Sequence, residues 1–357
     1  MAEALKHLYS QDVIKRLAKI VHAYNPQNSE KKIIALIFDR NWEDRELKSR
    51  MSHISDVLHQ SLTQNYKKDS QFLIKIAPEF SGFEGMFIPH YIECFGLEHW
   101  ELSINAIEQT TEYASAEFAV RQFILKDKQR MMLKMLSWSK HKNHHLRRLS
   151  SEGCRPRLPW ACALPEFKQD PRLIIPILDQ LKNDTSLYVR KSVANNINDI
   201  SKDNPCLVLD LLRLWQGNTP EQDWVLKHGA RTLLKRSDKT TLRLFGNEHP
   251  KHIEIDFFEI DESVKIGEEL DFKFSLKSKK ELGKLRLEYK IGFLKASGKT
   301  SYKVFKISEG NYTTNSLTIL KHHHFKQLTT RKHYPGQHEI IILVNGVVFC
   351  SKQFQVL

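Results

Sequence analysis

The chain has 357 residues, 41% of them hydrophobic and 27% charged, with 55 Lys and Arg against 42 Asp and Glu, a formal charge of +13 and a pI ≈ 9.3. This length predicts two domains, and the composition excludes a disordered or collagen-like chain. No run approaches the roughly 18 apolar residues of a membrane span, and the start, Met1-Ala-Glu-Ala-Leu-Lys, lacks the apolar core of a secretory signal.

Five cysteines, Cys94, Cys154, Cys162, Cys206 and Cys350, are odd in number and form no CxxC pair. They predict a reducing cytoplasm and argue against a thiolate zinc site. The basic balance favours a polyanionic partner. Nucleic acid is preferred to a membrane because no segment reads as a basic amphipathic membrane helix.

In chain order, the sequence reads as helical up to about residue 245. Ile174, Ile177, Leu178 and Leu181 recur at three-to-four spacing, as do Val189, Val193, Ile197 and Ile200. The helical part repeats itself. Leu146-Arg-Arg-Leu-Ser-Ser-Glu-Gly-Cys154 aligns with Val189-Arg-Lys-Ser-Val-Ala-Asn-Asn-Ile197 and with Val225-Leu-Lys-His-Gly-Ala-Arg-Thr-Leu233. Val120-Arg121 reads as a degenerate earlier copy. The spacing is that of HEAT-like helix pairs, with first helices at Leu173–Leu181 and Leu207–Leu214 and second helices bearing the basic residues. Such pairs bury a continuous core and line a surface with their second helices.

The character changes at Phe245-Gly-Asn-Glu-His-Pro250. Beyond it, β-rich runs cover His252–Ile260, Leu270–Lys277, Lys284–Leu294, Tyr302–Ile307, Ser316–Leu320 and Glu339–Val348. Asn345-Gly346 between two apolar runs predicts a two-residue hairpin turn. Six or seven short strands predict an all-β, immunoglobulin-like sandwich over 249–357, following a mostly α, HEAT-like solenoid over 1–248. From residue 270 onward there are sixteen Lys and Arg against five Asp and Glu. Several fall in Lys321-His-His-His-Phe-Lys-Gln-Leu-Thr-Thr-Arg-Lys-His333, which is expected to be a loop, and the domain is expected to clamp a duplex. Neither the spacing of that histidine run nor a nearby carboxylate cluster supports a metal site.

Stacking the repeats would align Arg148, Lys191 and Lys227 in one column and Glu152, Asn195 and Arg231 in the next. The first column is either a ladder tracking a phosphate backbone or a solvated helix face. Glu117, four residues before Arg121, and Glu152, four after Arg148, are either surface pairs worth a few tenths of a kcal/mol or groups for chemistry on a bound polyanion. A basic groove needs no glutamates to hold phosphate. Gly153-Cys-Arg-Pro-Arg-Leu-Pro-Trp160 breaks the helix and keeps Arg155, Arg157 and Trp160 near Glu152, a combination rare at a solvated helix end.

Ser115-Ala-Glu-Phe-Ala-Val-Arg121, Arg147 to Trp160, and Val189 to Asp199 resemble the signature segments of the AlkC family, bacterial DNA glycosylases of the AlkC/AlkD superfamily. The resemblance extends upstream through Leu47-Lys-Ser-Arg-Met51 and Gly82-Phe-Glu-Gly-Met86. It departs at Arg121-Gln122, where many relatives are expected to have Arg-Pro. It implies a HEAT-like fold with, in some members, an added immunoglobulin-like domain.

The implied substrate is duplex DNA carrying cationic alkylated bases, chiefly 3-methyladenine and 3-methylcytosine, acted on by a monomer that does not flip the base. By this resemblance Glu117, Glu152 and Asp199 take catalytic roles. Arg121, Arg147, Arg148, Arg155, Arg157, Arg190 and Lys191 contact DNA, Trp160 meets the lesion or its sugar, and Asn195, Lys227 and Arg231 extend the surface. No cofactor and no metal are expected. A non-catalytic HEAT-repeat scaffold binding nucleic acid or an acidic protein stays open, as does a nuclease, which usually needs a metal-binding carboxylate cluster.

Overall fold

A computed structural model describes residues 5–327 and 332–357. Sixteen α-helices lie between Gln11 and Leu244, and eight strands between Ile253 and Val356, among the described residues. This is the expected helical body followed by an all-β domain. No helix among them is long and apolar enough to cross a membrane. The chain forms two compact units. One comprises residues up to Asn204 with Trp215–Gly229, the other Pro205–Leu214 with Ala230–Leu357.

In the first unit the aligned segments become the helices His144–Glu152, Leu187–Asp203 and Pro220–Gly229, with the middle one packed against both others. The apolar stripe decides this: Val189, Val193, Ile197 and Ile200 are all buried. Small polar residues close the seam. Ser151 Oγ donates to Ser192 Oγ at 2.7 Å, and Asn196 Nδ2 donates to Ser151 O at 2.7 Å. The helix ahead of the middle one runs over Ile175–Leu181, close to the predicted bounds.

Two helix ends bear on the site. The Asn143 side chain caps His144–Glu152 by accepting from His145 N at 2.9 Å. At the other end a Cβ on Gly153 would lie 2.3 Å from Val120 Cγ2 and 3.1 Å from Met135 Cε. Only glycine lets this helix end approach the helices Ala119–Lys126 and Lys128–Trp138 so closely. The third aligned segment is not one helix. It stops at Gly229, and Arg231–Lys235 is a separate short helix assigned to the second unit. The column Glu152, Asn195, Arg231 therefore does not run over three equivalent helices.

The second unit contains two sheets. β1 (Ile253–Ile260), β3 (Glu269–Ser278) and β6 (Ser316–His324) form one, in the order β1-β3-β6. β2 (Ser263–Val264), β8 (Val347–Val356), β7 (Gly336–Val344), β4 (Gly283–Leu294) and β5 (Thr300–Tyr312) form the other, in that order. Alternation fills the space between them. Leu270, Phe272, Phe274 and Leu276 face inward with Leu285, Leu287, Ile291, Ile340, Ile342 and Val344. Asn345 (φ 48°) and Gly346 (φ 75°) make the predicted two-residue turn, whose primed geometry needs positive φ at both positions.

The segment expected as a loop over Lys321–His333 begins as strand, because Lys321–His324 complete β6 against β3. Residues 328–331 of that expectation lie outside the described residues.

His338 sits in this core, with Nε2 donating to Tyr334 O at 3.0 Å, and burial depresses its pKa. The folded state therefore holds it neutral, whereas the unfolded chain takes up a proton near the ordinary value of about 6.5. Its contribution to stability is complete above that value and is lost as pH falls from there towards the depressed folded pKa. Thermal unfolding between pH 7.5 and 5 should show a declining midpoint over this window, and His338→Gln should flatten the decline. An identical slope in the variant would remove His338 as the cause.

Candidate nucleic-acid interface and its carboxylate network

Glu117 lies in a turn just before Ala119–Lys126, not on the helix. It therefore does not pair with Arg121 four residues on. Its Oε2 accepts from Ser115 Oγ at 2.8 Å and from Arg148 Nη1, which also donates to Ser115 Oγ at 2.8 Å. Arg148 Nη2 lies 3.3 Å from Glu152 Oε1, so the second expected pair does form along its helix. Arg155, just past the helix end, donates from Nη1 to the same Glu152 oxygen at 2.6 Å and from Nε to Asp199 Oδ2 at 2.9 Å. Lys202 Nζ donates to Asp199 Oδ1 at 3.0 Å. The result is an alternating row, Glu117–Arg148–Glu152–Arg155–Asp199–Lys202.

This row is not a solvated helix face. Side-chain exposure is 18% for Glu117, 13% for Arg148, 6% for Glu152, 8% for Arg155 and 2% for Asp199. Burial opposes the charge on Arg148 and Arg155, but the flanking carboxylates outweigh it and hold both guanidinium groups above the ordinary arginine value. Burying so many charges costs desolvation that well-packed apolar residues would avoid, so stability alone is a poor reason to keep them.

The carboxylates also differ in what they leave over. Ser115 and Arg148 both bind Glu117 at Oε2, and Arg148 and Arg155 both meet Glu152 at Oε1, so each carboxylate keeps its second oxygen unbonded among the described residues. Asp199 uses both oxygens and does not line the cleft beside the row. Its carboxylate is shared between Arg155 and Lys202.

The cleft measures ≈ 630 Å³ and is bordered by Glu117, Glu152, Arg148, Arg155 and a set of rings: Phe83, Phe118, Trp160 and Tyr188. Trp160 is 57% exposed and Phe83 41%, with ring centroids 6.2 Å apart. Tyr188 lies under the Arg148 guanidinium at 4.9 Å. Partial burial raises the Tyr188 phenol and, with His144 and Arg148 nearby, lowers the imidazole of His145, so both groups stay neutral at pH 7. Burial pushes the Cys154 thiol up to about 12, which rules it out as a thiolate nucleophile.

Trp160 has φ 63°, a left-handed conformation that costs a bulky residue about 1–2 kcal/mol. Two cations hold it there. Lys48 Nζ donates to Trp160 O at 2.6 Å and lies 5.2 Å from the Phe118 ring centroid. Arg121 holds the loop on both sides of Trp160. Its Nη1 donates to Gly153 O at 2.9 Å and Arg155 O at 2.7 Å, and its Nε donates to Cys162 O at 2.8 Å.

Arg121 is fully buried, and burial depresses its pKa. A guanidinium with no accessible surface meets no phosphate, so the expected DNA contact at Arg121 is replaced by a structural clamp. Arg147 likewise grips Asp184 with two bonds of 2.6 and 3.1 Å, and Arg190 ties to Asp184 O at 2.6 Å and Thr185 O at 3.0 Å. These two secure the turn before Leu187–Asp203. Arg157 pairs with Asp203 at 2.9 and 2.6 Å but remains 39% exposed, and Lys191 is exposed. Asn195 and Lys227 are half-buried. Lys48, Phe83, Phe118, His145 and Tyr188 had no role assigned from sequence, although Lys48 and Phe83 lie within the upstream segments Leu47–Met51 and Gly82–Met86.

Residues 254–357 match the family described as "Uncharacterised protein YhaZ, C-terminal Ig-like domain". Over 354 residues, 99% of each chain, the sequence is 43% identical to the uncharacterized protein YhaZ of Bacillus subtilis (strain 168). It is 36% identical to the alkylpurine DNA glycosylase AlkC of Pseudomonas fluorescens, solved bound to DNA containing an abasic site analog. That match has a TM-score of 0.95 and covers 99% of this chain and 100% of the other.

Proposed function

The chain belongs to the AlkC family, a helical-repeat body with a C-terminal immunoglobulin-like domain, and from that premise we propose that it is a DNA glycosylase of alkylation repair. It hydrolyses the N-glycosidic bond of cationic alkylated bases, 3-methyladenine and 3-methylcytosine, in duplex DNA, as the first step of base excision.

The observation that carries this reading is the pair of half-used carboxylates. Glu117 and Glu152 each anchor one oxygen on arginine, leave the other unbonded among the described residues, and border the cleft. A cationic base leaves readily because its departure discharges it, so no strong general acid is needed. The difficulty lies in the sugar, which becomes oxocarbenium-like as the bond stretches. A preorganised carboxylate beside that centre stabilises the growing charge, and its free oxygen orients the attacking water. The exposure of Trp160 and Phe83 favours contact with the lesion and its sugar at the duplex, without extrusion into an enclosing pocket.

The test is incubation of the full chain with methylated duplex DNA, in the presence and absence of EDTA. Free alkylated base should appear, with intact strands bearing abasic sites, at the same rate in EDTA. DNA binding without base release would favour the scaffold reading, and EDTA-sensitive strand cleavage would favour a nuclease. Either result would overturn the proposal.

A further inference from the structure

Three exposed side chains on the three-stranded sheet have no part in the cleft. Along β6, His323 turns into the core while His322 and His324 stay on the outer face. The antiparallel register sets Glu269 of β3 opposite His324 and Asp271 opposite His322, and directly opposed residues share a face. Glu269 Oε1 lies 2.8 Å from His324 Nδ1, and Oε2 lies 3.8 Å from His322 Nδ1. One ligand atom from each residue falls within 4.8 Å of the other two, the single such group of three among the described residues.

We propose that His322, His324 and Glu269 form a binding site for a zinc-like divalent cation. Residues two apart on a strand point the same way, so a His-X-His pair offers two imidazoles to one ion, and the facing carboxylate supplies the third donor. Tetrahedral ligands at about 2.0–2.1 Å from zinc sit roughly 3.4 Å from one another, and the two observed nitrogen–oxygen separations bracket that spacing. Small rotations of exposed side chains therefore suffice to close the site.

A simple exposed ion pair would need one histidine and contributes little. Here a second imidazole is aimed at the other oxygen of the same carboxylate. Two nitrogen donors and one oxygen suit Zn²⁺ over Mg²⁺ or Ca²⁺, which prefer oxygen throughout. Water takes the fourth position. The ion would staple β3 to edge strand β6 where the chain leaves the sheet.

The test uses the metal-free full chain. Titration with Co²⁺ should give tetrahedral d–d absorption that saturates at one equivalent and is displaced by Zn²⁺, with excess Mg²⁺ unable to compete. His322→Ala, His324→Ala and Glu269→Gln should each weaken Zn²⁺ binding by on the order of 10-fold or more, since each removes one of three ligands. His252→Ala, an exposed histidine outside the group, should bind as wild type. All variants should share the wild-type metal-free unfolding midpoint, and Glu269→Gln preserves side-chain volume should a histidine variant fold poorly. Zinc affinity equal to wild type in all three ligand variants, or no tetrahedral cobalt spectrum, would overturn the site.

Discussion

Gln in place of Glu152 should slow base release from methylated duplex DNA by about 10²–10³-fold under single-turnover conditions while leaving DNA affinity equal or tighter. A unit charge pair at about 4 Å in an effective dielectric near 20 is worth roughly 4 kcal/mol, an upper figure here because two arginines share the carboxylate. Each 1.4 kcal/mol or so kept for the transition state is about tenfold in rate.

The substitution isolates charge from shape. The amide oxygen can keep both arginine bonds at Oε1, Arg148 retains Glu117, and Arg155 retains Asp199. The fold should therefore survive with a loss of about 1–2 kcal/mol. Glu117→Gln should show a smaller rate loss, because that carboxylate is the more exposed and better screened of the two. Wild-type rates in both variants would remove these residues from the chemistry.

Arg121→Ala should be the most damaging single change to stability, about 3–5 kcal/mol. It leaves the buried carbonyls of Gly153 and Arg155, and the Cys162 carbonyl beyond Trp160, without their donor. For a body of this size that corresponds to a midpoint lower by roughly 10 °C. Arg121→Lys should rescue little, because a single ammonium cannot span carbonyls on both sides of a loop as a planar fork does. Base release should fall with stability, since the same loop carries Arg155 and Trp160. A near-wild-type midpoint in the alanine variant, or full rescue by lysine, would show that the clamp is not needed.

Arg121 also marks where local reading of the sequence stops. Its spacing from Glu117 suggested a helical pair, yet Glu117 lies ahead of the helix and turns to Arg148, whose partner choice depends on how two helices approach. The carboxylates themselves were legible because acids amid arginines, beside a helix break at Gly153, Pro156 and Pro159 and a tryptophan, satisfy no ordinary surface pattern. Repeats signalled by period, such as Leu187–Asp203, and the Asn345-Gly346 hairpin were legible because each rests on local backbone preference.

The long-range features were not. Tyr188 and His145 enter the cleft only through stacking of their helices. The run Val225–Leu233 keeps its apolar period across a break at Gly229, whose Cα packs so close to Ile197 that a Cβ would lie 2.8 Å from its Cγ2. Glu269 is remote in sequence from the histidine run it faces. β2, two residues long, carries too little pattern to be read at all.

The central claim is that Glu117 and Glu152 stabilise a cationic sugar, and affinity for two abasic duplexes tests it most directly. One duplex would carry a neutral tetrahydrofuran at the abasic position, the other a protonated pyrrolidine with its positive charge in the sugar ring. The wild-type protein should bind the cationic duplex more tightly by on the order of 10²-fold, and Glu152→Gln should abolish most of that preference. Equal affinity of the wild-type protein for the two duplexes, or a preference untouched by the substitution, would contradict the account.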